Sequence, residues 1–421
     1  MSTTWGYFVL FAVLVSGCGA GLHPFLRGSP ANGSGDGNND PSPTASPFCS
    51  GDPTFQTYQE AAFVIGQADF TGEDLNSGEL GPVAKGLNEP YGVPAFSAGY
   101  LWIPDFNNQR ILGFSPFPEA SDASAQIVIG QDSFGTSTSG TSATQLNDPN
   151  GVGVSGSSLF VLDNGNNRVL RYNTLPTVSG ASASTVIVGH GDMTQTRSTC
   201  DASSFDAAEG FRVKDNLLIV PDLNHDRVLI WTTIPSAPNV PADIVLGQPD
   251  FGTCTAVGVT VSPSASNFDA PTDAATDGTR LVISDMNRHR VLIWNTFPTE
   301  DNQPADVVLG QPDFTSGTAN QGSLSNRSLS DPLSVEIHGS KLYVSDAGND
   351  RVMIWNSIPT ENHTPADVVL GQPNFTTSGP ITSRPITSRQ GINGAAGVRA
   401  CGNRLYVGQD GANRYSVFEG L

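Results

Sequence analysis

The chain has 421 residues, including 46 Gly and 30 Pro, and charged residues make up only 14 % of it, against a typical quarter. Its 20 Lys and Arg stand against 40 Asp and Glu, a net charge of -20 spread along the sequence, which argues against nucleic acid and anionic lipid head groups as partners. Length alone suggests two or three domains; the composition is that of many short strands and turns, and the repeats below favour a single domain.

The first 18 residues carry an apolar run, Trp5 to Val15, too short to span a bilayer as a helix and placed as an export signal would be. The run ends in Val15-Ser16-Gly17-Cys18. These four residues resemble the lipobox of bacterial lipoproteins, which implies that Cys18 receives lipid and becomes the mature N-terminus. The segment before the run lacks Lys and Arg, and an ordinary cleaved signal with a chance Cys is the alternative. Gly19 in place of Asp implies, by the same resemblance, an outer-membrane location, periplasmic or surface-facing. Residues 19–48 are rich in Gly, Ser, Pro and Asn and read as a flexible tether. Residues 49–421 are left as the folded domain.

From residue 61 onward the chain repeats itself. One block reads as a strand ending in Asp, a tight turn, then Arg and a strand ending in an aromatic residue. It occurs at Leu101–Phe114, Leu159–Tyr172, Leu218–Trp231, Leu281–Trp294, Leu342–Trp355 and Leu405–Phe418. Its arginines, Arg110, Arg168, Arg227, Arg290, Arg351 and Arg414, are separated by 58, 59, 63, 61 and 63 residues. A second block, an aliphatic run ending in Gly-Gln or Gly-His, also occurs six times, first at Phe63–Gln67 and last at Val368–Gln372. With the Gly-Val segment ahead of each Asp strand, every period supplies about four short strands, the content of one propeller blade. The expected fold is all-β: a six-bladed β-propeller of four-stranded antiparallel blades. The chain starts on a Gly-Gln strand and ends where the next one is due, so Ala61 to Phe70 is expected to complete the last blade and remove an open edge.

The unit Pro-x-Gly-Val, strand, Asp-x-x-Asn-x-Arg, strand resembles the NHL repeat, most clearly at Pro149-Asn-Gly-Val152 and Asp163-Asn-Gly-Asn-Asn-Arg168. NHL-like propellers include enzymes, protein-binding and RNA-binding modules and sensor domains, so the resemblance implies architecture rather than activity. The last unit departs from it, with Gln409 where the others carry Asp. A residue required in every blade serves the blade. Asp105/Arg110, Asp163/Arg168, Asp222/Arg227, Asp285/Arg290 and Asp346/Arg351, together with Arg414, are therefore read as turn caps and loop locks.

Other chemistry is sparse. Asp222-Leu-Asn-His-Asp226 starts like a calcium loop, but Arg227 and Thr233 stand where Gly and Glu are needed. NHL-like amidating lyases would place several His ligands around a central zinc; here His225 and His289 occupy non-equivalent turn positions, and His190 replaces the repeated Gln on an outer strand. No HxH, HExxH, GxSxG or P-loop occurs. No catalytic residue, metal ligand or cofactor is assigned, with a calcium or zinc ion left open by the acidity.

Binding candidates are the positions that vary at the start of each innermost strand: Tyr91, Asn150, Glu209, Thr272, Leu333 and Ala396. Such a mixed ring at the channel rim suits a small polar or sugar-like ligand, and ordinary channel filling looks similar. The Ser/Thr/Gly-rich loops between blades, such as Thr136–Thr144 and Thr315–Ser328, share that face and are natural recognition elements. Cys200 and Cys254 fall in equivalent loops of adjacent blades and can bridge; Cys49 and Cys401 can staple the ring shut. The expected function is an exported, lipid-anchored binding module for a protein or carbohydrate partner in the cell envelope, touching the membrane only through its lipid. The alternatives are a metal-dependent lyase or lactonase-like hydrolase with its site in the channel, and a structural scaffold.

Overall fold

A computed structural model of the chain describes residues 49–421, apart from 98, 190, 195–197, 256–260 and 380–387. Cys18, the tether and His190 lie outside the described residues. Within them, six four-stranded antiparallel sheets succeed one another as blades. The second blade shows the pattern: Pro149–Ser155 innermost, then Ser158–Asp163, Arg168–Tyr172 and Thr185–Val188 outermost. The other innermost strands are Ala95–Ser97, Arg212–Lys214, Pro271–Thr276, Pro332–His338 and Ala395–Cys401. The sixth blade is completed out of sequence. Its strands Ala395–Cys401, Arg404–Gln409 and Arg414–Glu419 take Phe63–Ile65 as their outermost neighbour, with Phe63 opposite Val417 and Ile65 opposite Tyr415.

The period of two along each strand explains the packing. Both faces of a blade are covered by neighbouring blades, so the strands read as continuous aliphatic runs rather than alternating ones. In the third strand of the third blade, Val228, Leu229, Ile230 and Trp231 follow one another and are all essentially buried. The core is accordingly divided into six clusters, each drawn from two adjacent sheets. One of them joins Phe63, Ile65 and Tyr406 of the last blade to Leu101 and Leu112 of the first.

The repeated Asp and Arg are the frame of one face. In five blades Arg Nε lies 2.6–2.7 Å from Asp Oδ2 with both side chains fully enclosed. The rest of each guanidinium donates to carbonyls of the inter-blade loops; Arg110, for example, reaches Phe134 O at 2.6 Å and Val83 O at 2.9 Å. The other Asp oxygen accepts the backbone N–H of the residue near the start of its own blade, as Asp105 does from Asn88 at 2.8 Å. The repeated Gln adds to this, with Gln131 Nε2 donating to Gln109 O and Thr138 O.

A further clasp links every blade to the next. The left-handed residue before each Arg accepts a backbone N–H from the following blade: Gln109 from Asp148, Asn167 from Ala207, Asp226 from Ala270, His289 from Asp331, Asp350 from Gly394 and Asn413 from Glu89. Positive φ at this position favours Asn and Asp, and the clasp requires an acceptor, which is why this position varies yet never becomes apolar. The sixth clasp joins the last blade to the first. Two disulfides complete the frame: Cys49–Cys401, with Cα atoms 4.2 Å apart, and Cys200–Cys254, at 5.8 Å.

Candidate functional site

The ring has two unlike faces. One carries the Asp-to-Arg turns and the long inter-blade loops; the other carries the hairpins that join each innermost strand to the next. The six strand-start residues lie at the first face, but the structure divides them. Asn150 is fully buried and its Nδ2 donates to Glu209 Oε2 at 2.8 Å. Tyr91 is partly exposed, and burial raises the pKa of its hydroxyl well above the usual value, with the charges of Glu209, Asp410 and Asp331 adding to the rise. Asn150 and Glu209 are therefore a hydrogen-bonded pair, and Tyr91 lies within the electrostatic reach of Glu209.

Thr272, Leu333 and Ala396 do something else. Thr272 is buried, with its hydroxyl 2.8 Å from Ser284 Oγ, and Ser284 also donates to the Leu333 carbonyl. Leu333 and Ala396 are buried apolar residues. These three fill the space between inner strands. The close approach of strands on the other side depends on glycine: a Cβ at Gly92 would stand 2.1 Å from Asn150 O, and one at Gly397 2.0 Å from Gly92 O.

The mouth around Tyr91 is acidic. Burial, helped by the charge of Asp148, pushes the Glu209 carboxyl up to about 7. Burial also raises Asp410 to about 6, against the backbone bond from Gly411 and with Glu89 and Asp350 adding repulsion. Two buried carboxyls raised above their ordinary values, beside further carboxylates, make a site that gains from a positive group. Asn150 Oδ1 is buried with no hydrogen-bond partner among the described residues, so the same spot offers an unused acceptor. Among the described residues no three His, Cys, Asp or Glu side chains are grouped so as to hold a metal ion. His225 Nδ1 pairs instead with Asp222 Oδ2 at 3.0 Å, and His289 Nδ1 is taken up by the clasp, accepting the Asp331 N–H at 3.1 Å.

The opposite face holds a constellation that the sequence reading missed. A cavity of about 720 Å³ opens there on the axis, lined by residues of all six blades and by Cys49 to Gly51. Arg212 of the third blade and Arg399 of the sixth both donate to Glu336 Oε2 of the fifth, at 2.8 and 2.9 Å. Asp273, one layer deeper, accepts from Ser334 Oγ at 2.7 Å and from Val335 N at 3.1 Å. Burial raises Asp273 against the pull of Arg212. Burial likewise raises the Glu336 carboxyl to about 7, against the pull of Arg212 and with Asp273 adding repulsion. The signal was present in the alignment of repeats. The equivalent position reads Pro94, Gly153, Arg212, Ala275, Glu336 and Arg399, and charge on an innermost strand must face the axis or a neighbouring blade. A smaller groove of about 410 Å³ lies between the third and fourth blades; its one acid, Asp243, is already engaged by Thr232 at 2.7 and 2.8 Å.

No family model matches the chain. No curated protein matches it either. Solved structures of similar fold include the WD40 β-propeller domain of Doa1, at 10 % identity and a TM-score of 0.44 over 80 % of this chain and 96 % of that one. A virginiamycin B lyase from Staphylococcus aureus is similar at 10 % identity and 0.40 over 80 % and 97 %. A chain of a nidogen/laminin complex is similar at 15 % and 0.36 over 66 % and 83 %. None of these likenesses bears on activity.

Proposed function

We propose that the protein is an exported NHL-like propeller that binds a protein partner through its turn-and-loop face, the partner presenting a Lys or Arg side chain to the mouth. The observation that carries this is the Asn150–Glu209 pair beside Tyr91, in which one raised carboxyl and an unused buried acceptor lie together on the face that carries the long loops. A rigid ring with long polar loops is a common arrangement for recognition, and a cation brought beside a raised carboxyl favours its charged form. In this reading residues 1–18 are a lipoprotein signal, Cys18 carries lipid, residues 19–48 are the tether, and the domain is held at the outer membrane.

The test is capture by crosslinking from envelope extracts. It compares the full-length protein with a variant whose loops Thr136–Thr144 and Thr315–Ser328 are replaced by Gly-Ser of equal length, and with Glu209→Gln. Specific capture lost in both variants supports the proposal. Unchanged capture by both refutes it, and capture of glycan rather than protein would place a carbohydrate in the partner's role.

A further inference from the structure

The cavity on the hairpin face has no part in that proposal. Its floor is a pair of guanidiniums from opposite sides of the ring that share one carboxylate oxygen. Each fork is fixed from behind: Arg212 Nε donates to Ala274 O at 2.8 Å and Nη2 to Val335 O at 3.1 Å, while Arg399 Nε donates to Pro94 O at 3.1 Å. Anchored this way, neither side chain can swing away, and the cost of ordering them is already met by the fold. Arg399 Nη2 donates to no described residue, and Arg399 lines the cavity. The walls above it are largely apolar, with Val152, Val154, Val213 and Ile337 among them.

We propose that this cavity is a second binding site, for a small organic monocarboxylate, whose carboxylate is taken by Arg399 and Arg212 while its apolar body lies against the aliphatic walls. A planar guanidinium fork matches a carboxylate geometrically and is the usual residue for it in enclosed sites. A protein of net charge -20 repels anions over most of its surface, so the fixed pair of arginines is what makes an anion site here.

Glu336 already occupies these donors, and it is the natural competitor of the ligand. The groups facing it are Arg399 on the neighbouring inner strand, Arg212 two blades away, Asp273 beneath, and His338 on its own strand; Lys214, Asp215 and Asp277 stand at the cavity wall. Lys214 pairs with Asp215, and Asp277 with Arg280. Protonation of Glu336 releases both guanidiniums to the ligand. With its carboxyl near 7, binding of an anion should weaken about tenfold between about pH 6 and about pH 8, as one linked proton requires.

The experiment is calorimetric titration of the full-length protein with benzoate, using benzamide as a neutral control of the same shape. Saturable benzoate binding at about pH 6, about tenfold weaker at about pH 8, with benzamide silent, is the expected result. Glu336→Gln should bind equally at both pH values. Arg399→Gln should lose binding at least about tenfold, the loss of one charge-assisted bond, with a melting temperature lowered by the lost pairing to Glu336. Should Arg399→Gln fail to fold, Arg399→Lys and the flattened pH profile of Glu336→Gln carry the test. Absence of saturable benzoate binding, equal binding of benzamide, or a tenfold pH dependence retained in Glu336→Gln would overturn the proposal. Partner capture at the other face is independent of all these outcomes.

Discussion

Restoring the broken repeat, by Gln409→Asp, should stabilise the protein. In the sixth blade Gln409 Oε1 accepts from Asn393 N at 3.0 Å, as each Asp does in its own blade, but its Nε2 donates to Ser416 Oγ at 2.5 Å and gives Arg414 nothing. Arg414 is fully enclosed, and its Nε and Nη2 have no partner among the described residues; one bond, from Nη1 to Phe70 O at 2.9 Å, remains. Burial lowers its pKa to about 10, so the charge persists at neutral pH without its carboxylate. An aspartate at 409 would keep the Asn393 bond through Oδ1 and place Oδ2 against Nε, as in the five other blades. The gain is a charge-assisted bond of about 1.5–3 kcal/mol. Against it stand the Ser416 bond, about 1 kcal/mol, and the desolvation that raises Asp105 and Asp285 in their own blades. Half of the ionic cost is already present in the unpaired Arg414, so the net effect should be stabilisation by about 1 kcal/mol, a rise of roughly 1–3 °C in melting temperature. A melting temperature equal to or below that of the unaltered protein would refute this view of the Asp–Arg pair.

The converse change, Asp285→Asn, leaves Arg290 buried and uncompensated and should cost about 3–5 kcal/mol, read as the shift in denaturant midpoint; a loss below about 1 kcal/mol would contradict it. Asn413→Ala removes the clasp to Glu89 N and the bond to Glu73 O and should cost about 1–3 kcal/mol, with no change in the disulfides. Stability should also fall as pH rises. Glu209, Glu336 and Asp410 titrate higher in the folded state than their ordinary values, so the native protein binds more protons between about pH 4.5 and 7. Their contribution is therefore complete at low pH and lost on the way up. Glu209→Gln should remove at most about 3 kcal/mol of that slope, less in practice because Glu209 keeps some contact with water at the mouth; thermal melts at a series of pH values measure it.

How much was legible depended on whether a residue repeats. The Asp-to-Arg block occurs in every period, so six blades and the out-of-sequence closure could be read from spacing, although the closing segment expected at Ala61 to Phe70 contributes only the strand Phe63–Ile65. The layout made Cys200–Cys254 a possible bridge, since equivalent loops of adjacent blades are neighbours, and Cys49–Cys401 another, since Cys49 precedes the strand that joins the blade of Cys401; both are formed. The channel was harder. Asn150 and Glu209 hydrogen-bond to each other, but Thr272, Leu333 and Ala396 are absorbed into packing, because the distance between inner strands is set by the neighbouring small residues, Gly92, Gly151 and Gly397, and by Asp273. The Arg212–Glu336–Arg399 floor joins residues 63 to 187 positions apart in different periods; no single repeat contains it, and comparison of like positions across repeats dilutes it. The clasp residues were hidden for a similar reason. Gln109, Asn167, Asp226, His289, Asp350 and Asn413 share an acceptor atom rather than a residue type.

Both proposed sites exist only if the ring is closed by its N-terminal strand. Amide hydrogen exchange on the full-length protein tests this most directly. Closure predicts that the amides of Phe63 and Ile65, opposite Val417 and Tyr415, exchange as slowly as those of Arg414–Glu419, and that they are released together with them in denaturant. Exchange of Phe63 and Ile65 at the rate of an exposed loop, while the strands of the other blades stay protected, would contradict it.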